Sequence, residues 1–310
     1  MNEQTTTAIL PATKRSMLSD NVADILQFAA DAYRDGAVAL ATLVEIRGGA
    51  ARALGSHVVV AADGRYCGYV SGGCVEAAVA SEALLAMAEG SDRTVRLGDG
   101  SPFFDLVLPC GGGITVAIHV IKNPLALDQA LERLSQRLPT ALRYMPNRQM
   151  IETADPVESA GWDGESFISA YRPVTRVIIS GMNNDAAKLG VLARACGYDV
   201  VSFEPTTFDR SIIDPFTAVV MLHHDLDAEL AATNAALGSV AFYIGALGSS
   251  RTHRLRIERL QSRGWNSEAI ERIKAPIGSF GPTKDSTSLA LSVLADIAAS
   301  RLAMRKPTRS

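Results

Sequence analysis

From Val174 onward the sequence alternates short apolar runs with helical periodicity, and that alternation leaves few folds open. "VTRVIIS" (174–180), "YDVVSFE" (198–204), "TAVVML" (217–222) and "VAFYIGA" (240–246) read as buried strands, each an apolar run bounded by turn residues. Between the first two, Asp185 to Cys196 has helical spacing and closes at Gly197, a residue that accepts the left-handed backbone at a helix end. Strands joined through helices run parallel with right-handed crossovers, and helices then cover both faces of the sheet. The second half is therefore expected to be a Rossmann-like, doubly wound parallel sheet.

The first half has a different rhythm and reads as a mixed α/β domain. Asn21 to Gly36 is amphipathic through Val22, Ile25, Leu26, Ala29 and Tyr33, and "AVALATLVEI" follows as a buried strand. "SHVVVAA", Asp63-Gly64 and "RYCGYVS" form a hairpin signal, since Asp-Gly accepts the positive backbone angles of a tight turn. Gly72-Gly73 breaks that strand, and Val75 to Gly90 resumes helical spacing through Val79, Leu84, Leu85 and Met87. "TVRLG", "FDLVLP" and "GITVAIHVI" read as strands, with a hinge at Gly111 to Gly113. A helix from Leu125 to Leu138 and an irregular stretch to about Tyr171 form the expected connection. The division is then a flexible tail at 1–19, a mixed α/β domain carrying the cysteine motifs at 20–123, a helix and connecting segment at 124–172, and the Rossmann-like domain at 173–310.

A net charge of −3 with 20% charged residues argues against bulk attraction to nucleic acid or anionic membrane, which demands concentrated Lys and Arg. No apolar run approaches the length needed to span a bilayer. The N-terminus has its charges on the wrong side of a short apolar patch for a secretory signal. A cytoplasmic protein with reduced thiols is expected, and Cys67, Cys74, Cys110 and Cys196 contain no CxxC pair.

A strand, a turn at Gly181, a helix and a strand ending in Glu204 outline a dinucleotide-binding unit. The turn reads "GMNNDA": Gly181 and Ala186 match the glycine fingerprint, but Asn183 stands where the second glycine lets backbone approach a pyrophosphate. Asp185 near the helix start also repels a phosphate. NAD(P) is thus a doubtful ligand, and an NAD(P)-dependent oxidoreductase, with Glu204 on the ribose and His224 or His253 as acid/base, is the alternative function. "HHD" (223–225) and "GALGSSRTH" (245–253) each follow a strand, at the carboxyl ends where parallel sheets bind ligands. Asp225, Arg251 and His253 are candidate contacts there. The plainer reading of the second motif is a helix cap by Ser249 or Ser250.

Two thiols stand out. Cys74, in "SGGCVE", sits at a helix mouth, where the positive end of the helix favours thiolate. Gly72 and Gly73 before it bare the backbone to a ligand, and Glu76 is placed to accept a proton or hydrogen-bond a heterocycle. Cys110, in "LPCGGG", is a second such corner, with Gly111 and Gly112. The competing reading of any free cysteine is a buried structural one, and it is the expectation for Cys67 and Cys196. The separation of Cys74 from Cys110 lacks the short ligand spacings of structural zinc.

"SGGCVE", "LPCGGGITV", "HHD", "YIGALGSSRTH" and "APIGSFG", in this order, resemble the XdhC family, maturation factors of xanthine dehydrogenase and carbon monoxide dehydrogenase. The likeness runs from about Ala37 to Leu302. It implies a molybdenum cofactor chaperone without turnover of its own, which protects the cofactor while a cysteine desulfurase replaces an oxo ligand by sulfido and then inserts it into a molybdenum hydroxylase apoenzyme. It further implies Cys74 first and Cys110 second as metal-contacting thiols, with Gly72, Gly73, Glu76, Gly111, Gly112, Gly181, Asp225, Arg251 and His253 around the cofactor. A homodimer is expected for a carrier of this size. The chain departs from the family at "GMNNDA", where a glycine and a histidine are usual, at "HHD", where the family has Thr-His-Asp, and at the second serine of "SSRTH".

Overall fold

The computed structural model of the protein describes residues 10–99, 101, 111–203 and 209–304. Cys110, Glu204 and the strand expected over 104–109 lie outside the described residues. The chain divides into two compact units, Met1–Pro173 and Val174–Ser310.

The first unit contains β1 (Lys14–Met17), α1 (Val22–Tyr33), β2 (Val38–Arg47), β3 (His57–Ala61), β4 (Arg65–Gly68), α2 (Glu76–Glu89), β5 (Arg93–Gly98), β6 (Gly113–Val120), α3 (Leu125–Ser135), β7 (Thr140–Met145), β8 (Met150–Ala154), β9 (Gly161–Asp163) and β10 (Ser166–Tyr171). Its main sheet has the order β1-β4-β3-β2-β6-β5. Among the described residues, β1 and β4 pair in parallel and the other neighbours are antiparallel. β2 is apolar on both sides because both faces are covered. Ala39, Ala41 and Leu43 pack with Val79, Ala83 and Leu84 of α2, whereas Val38 and Leu40 pack with Leu26 and Ala29 of α1 and Leu127 of α3. A register shift between Leu43 and Glu45 interrupts the alternation near the end of β2.

Two segments differ from the sequence expectation. Lys14, Arg15 and Met17 are not a free tail but pair with Arg65, Tyr66 and Cys67 of β4. The strand is mostly exposed, so it carries no apolar alternation by which it could be read. Residues 140–171 are not irregular but form a second antiparallel sheet, β8-β7-β10-β9. Its strands are short and separated by Gly and Pro turns, so local signals read as loop. What holds it is tertiary: Phe167 and Tyr144 pack on Val44 and Ala117, and the Trp162 indole donates to the Val44 carbonyl at 3.1 Å.

A buried histidine lies between the sheets. His57, on β3, is hydrogen-bonded through Nδ1 to Thr42 Oγ1 at 3.0 Å and through Nε2 to the Tyr171 hydroxyl at 2.6 Å. Burial pushes its imidazole down to about 4, because a charged ring would lose its hydration without gaining a carboxylate.

The second unit contains β11 (Arg176–Ser180), α4 (Asn184–Ala195), β12 (Asp199–Phe203), β13 (Thr217–Met221), α5 (Leu230–Leu237), β14 (Tyr243–Ala246), α6 (Ser250–Ser262), α7 (Ser267–Glu271), β15 (Ile273–Lys274) and α8 (Ser286–Ala303). The sheet order is β12-β11-β13-β14-β15, with every pair parallel. One face, through Val177, Ile179 and Val220, packs on Leu189 of α4 and Val293 and Ile297 of α8. The other, through Ile178, Val219 and Met221, packs on Ala232, Leu260 and Ile270 of α5, α6 and α7. This is the doubly wound sheet expected from the alternation. Strand order reverses between β11 and β13, the position at which such sheets open a crevice. No helix among the described residues is long and apolar enough to cross a membrane.

The His57 environment gives a pH dependence with a defined sign. Unfolded, the ring takes up a proton near pH 6.5; folded, it does so only near pH 4. Its contribution is therefore complete above pH 6.5 and is lost as pH falls through that window, by up to roughly 3 kcal/mol. Urea unfolding at pH 7 and pH 4.5 is expected to show that loss, and His57→Gln, which keeps groups for Thr42 and Tyr171, is expected to flatten the profile by about one proton. An unchanged slope in the variant would show that another group titrates.

Candidate functional site

The candidate site is built at one edge of the six-stranded sheet. β2, β4 and β5 all end there and β6 begins there, as their pairing directions require. Three glycine pairs therefore converge: Gly48-Gly49 after β2, Gly72-Gly73 after β4, and Gly111-Gly112 before β6. A side chain at Gly48, Gly72 or Gly112 would meet a neighbouring segment, and at Gly112 it would clash. A Cβ on Gly112 would collide with the carbonyl oxygens of Gly49 and Arg47, and one on Gly72 would lie 3.7 Å from Ala51 Cβ. The loop after β2 thus touches both of the others, which the sequence reading did not anticipate. Its signal was present in "EIRGGAARA", a glycine pair between arginines directly behind a buried strand.

Cys74 is exposed. Its Sγ lies 3.3 Å from Ser71 Oγ, and it directly precedes α2, whose cap residue Val75 offers no side-chain oxygen. Gly73 has φ +109° with nothing within 4 Å of a Cβ position, so glycine is there for its backbone conformation and leaves the adjoining space open. Gly111 is exposed and open in the same way, whereas Gly112 is buried.

Glu76 differs from its expected role. It is fully buried, and its Oε1 accepts from the Ser71 and Val70 amides at 2.8 and 3.2 Å. Its Oε2 accepts from the Ser71 hydroxyl at 3.3 Å. The carboxylate is taken up by the loop and is not turned toward a ligand; it fixes the segment that carries Cys74. Among the other thiols, Cys67 is buried as expected, while Cys196 is exposed at the end of α4, against the expectation of a structural cysteine. Helical spacing placed it on the apolar face, but it falls at the cap, where the chain turns away from the core. No three His, Cys, Asp or Glu side chains among the described residues are grouped to hold a metal ion. Among the described residues, this edge offers one exposed thiol with bare backbone beside it.

In the second unit the turn after β11 is closed by side chains. Asn183 Oδ1 accepts from the Ala186 amide at 2.9 Å, and its Nδ2 donates to the Leu222 carbonyl at 2.7 Å. A Cβ on Gly181 would lie 2.9 Å from that same carbonyl. Asp185 accepts from the Ser286 hydroxyl at 2.5 Å. The position at which a glycine would admit a pyrophosphate is thus occupied by an asparagine amide tying β11 to β13.

Across the same crevice His223 Nε2 pairs with Ser180 Oγ at 2.8 Å, and burial lowers its pKa. His224 and Asp225 are exposed, and Asp225 Oδ1 accepts from the Asp227 amide at 2.9 Å. Ser249 caps α6 by accepting from the Thr252 amide at 3.3 Å. Arg251 is exposed on the first turn of α6, and His253 is half-buried. His253 Nδ1 lies 3.4 Å from Nη1 of Arg256, and burial together with that guanidinium lowers its pKa. Arg256 is itself buried against Glu229 and donates to the Leu247 carbonyl at 2.7 Å. Cys74, Gly72, Gly73, Glu76, Gly111 and Gly112 therefore gather at one edge of the first unit, while Gly181, Asp225, Arg251 and His253 follow strands of the second.

The Glu76 geometry has a measurable consequence. Glu76→Ala is expected to lower stability by roughly 2–4 kcal/mol, since two buried amides lose a charged acceptor, and Glu76→Gln by less. Urea unfolding measures the loss, and amide exchange at Val70 and Ser71 locates it. Unchanged protection of both amides in Glu76→Ala would remove the carboxylate from its place as the loop's anchor.

Comparison with known proteins gives the following. Residues 177–297 match the model of the XdhC Rossmann domain, and residues 32–98 that of the XdhC and CoxI family. The chain is 48% identical over 291 residues to the molybdenum cofactor insertion chaperone PaoD of Escherichia coli K12, covering 93% of this chain and 92% of the relative. It is 25% identical over 315 residues to a probable xanthine dehydrogenase subunit of Bacillus subtilis 168, covering 84% of this chain and 92% of that one. A crystal structure described as a xanthine dehydrogenase from Bacillus halodurans superposes with a TM-score of 0.73 at 20% identity, covering 94% of this chain and 98% of that one, a likeness of fold.

Proposed function

Because the chain belongs to the XdhC family, we propose that it is a carrier of molybdenum cofactor, which it holds during sulfuration and inserts into a xanthine dehydrogenase-type hydroxylase. The observation that carries this reading is the exposed Cys74 thiol at the edge where the three glycine pairs meet. A thiolate is a soft donor suited to molybdenum, and bare backbone amides suit the hydrogen-bonding edges of a pterin. Glu76, held inside, keeps the loop in shape without placing a carboxylate against the anionic cargo. The 48% identity to PaoD across nearly the whole chain supports the same cargo.

In this reading Cys74 touches the metal, and Gly72, Gly73 and Gly111 let the pterin approach main chain, while Gly112 keeps two loops in contact. Cys110, next to Gly111 in sequence, supplies a second thiol. Few protein ligands favour release, since a carrier that enclosed the metal in many strong bonds would not transfer it. A cysteine desulfurase and the apo-hydroxylase are the partners, each docking on a cytoplasmic homodimer. The sealed turn at Asn183 speaks against the oxidoreductase alternative, because a nicotinamide dinucleotide needs backbone at that position.

The test is cofactor retention after anaerobic gel filtration, read by molybdenum analysis and pterin fluorescence. Wild type is expected to retain both in equal amounts, and Cys74→Ala to bind about tenfold more weakly or worse with an unchanged circular dichroism spectrum. Cys196→Ala, an exposed thiol in the other unit, is expected to behave as wild type. A wild-type protein that retains no cofactor, or a Cys74→Ala variant that binds as well, overturns the assignment.

A further inference from the structure

Two arginines from separate segments meet on one aromatic ring beside the Cys74 loop. Arg15, on β1, places its guanidinium 4.4 Å from the Tyr69 ring centroid and 5.0 Å from that of Tyr66, and its Nη1 donates to the Gly68 carbonyl at 3.3 Å. Arg52, in the loop after β2, lies 5.0 Å from the Tyr69 centroid. Its Nε donates to the Ser71 carbonyl at 3.3 Å, and its Nη1 to the Asp20 carboxylate at 2.8 Å. Ser71 in turn is the residue whose hydroxyl lies 3.3 Å from Cys74 Sγ. The path from Arg52 to the thiol is thus a single residue long.

Each guanidinium draws on the negative face of the Tyr69 ring, a modest attraction. Among the described residues, Asp20 is the carboxylate within ion-pair distance of this pair. Its side chain is 68% exposed, so the contact is a solvated one of little strength. An incoming phosphate, with more charge and three acceptor oxygens matched to guanidinium forks, competes with it effectively.

We propose that Arg15 and Arg52 form the subsite for the terminal phosphate of the pterin cofactor, with Asp20 occupying Arg52 until that phosphate arrives. The inference rests on the carrier reading. It extends that reading by assigning the cargo's second charged group to residues linked to Cys74 through Ser71. In the cofactor the phosphate is an ester on a methylene attached to the ring carbon next to the dithiolene, so Arg15 and Arg52 would hold it while Cys74 would meet the metal. Tyr69 stacks both guanidinium groups and holds them ready, which lowers the ordering cost of binding.

The experiment compares two oxidised pterin probes, one carrying the terminal phosphate and one dephosphorylated, by fluorescence titration. Wild type is expected to prefer the phosphorylated probe by roughly tenfold or more. Arg15→Gln and Arg52→Gln are each expected to reduce that preference to about twofold while leaving affinity for the dephosphorylated probe unchanged, and Arg52→Lys to restore part of it. Asp20→Asn, which frees Arg52 of its competitor, is expected to raise the preference several-fold, an outcome that a merely structural arginine would not produce. Wild type binding both probes equally, or arginine variants that keep the full preference while folded, overturns the phosphate assignment and leaves the carrier reading standing. Wild type binding neither probe likewise overturns the phosphate assignment, and the carrier reading is then decided by retention of the metal-containing cofactor.

Discussion

Glu76 is a carboxylate fully enclosed by protein, and the Cys74 loop takes its shape from the bonds that carboxylate makes with Val70 and Ser71. A buried charge persists only where hydrogen bonds replace its hydration. Here the replacement comes from backbone amides that a tight, glycine-rich turn would otherwise leave unpaired. The two needs are met together, and the residue that fixes the loop sits on the first turn of the helix the loop leads into. Cys74 is consequently held at the surface by a rigid base rather than carried on a free segment, which is what a thiol must have to meet a bulky cargo in a repeatable orientation.

The main sheet of the first unit then decides what else stands near that thiol. Because β2 and β4 run the same way and β6 runs against them, the segments after Arg47, after Gly68 and before Gly113 all emerge at one edge. Glycine at 73, 111 and 112 serves different ends there: Gly112 permits two segments to approach, and Gly73 and Gly111 leave backbone open. Arg15 and Arg52 reach the same place from β1 and from the loop after β2. The edge therefore presents a soft donor, bare amides and cations within a few residues of one another.

The second unit keeps the parallel sheet and its strand reversal, yet the crevice is altered at the atoms that matter for a dinucleotide. Asn183 uses both ends of its amide to tie the turn to Leu222 and to cap α4, and Ser180 pairs with His223 across the same two strands. The fold is retained while its usual phosphate position is sealed, so fold and ligand must be argued separately. The buried Glu229–Arg256 pair and the Ser249 cap give the segment around His253 a structural explanation as well.

Local pattern was enough for much of this. Alternating apolar runs and helical spacing fix the identity of β11, α4, β12, β13 and β14, because β11, β13 and β14 are buried on both faces and β12 is half-buried at the sheet edge. The same holds for α1, β2, the β3–β4 hairpin and α2, and "SGGCVE" marks the thiol by composition alone. Tertiary structure alone decided the remainder. β1 and the second antiparallel sheet have no apolar rhythm of their own and exist through what they pair with or cover. Glu76 turned inward and Cys196 outward for reasons of packing that spacing does not encode. The meeting of Arg15 and Arg52 at Tyr69 depends on strand order, and strand order is a long-range property that no short stretch of sequence carries.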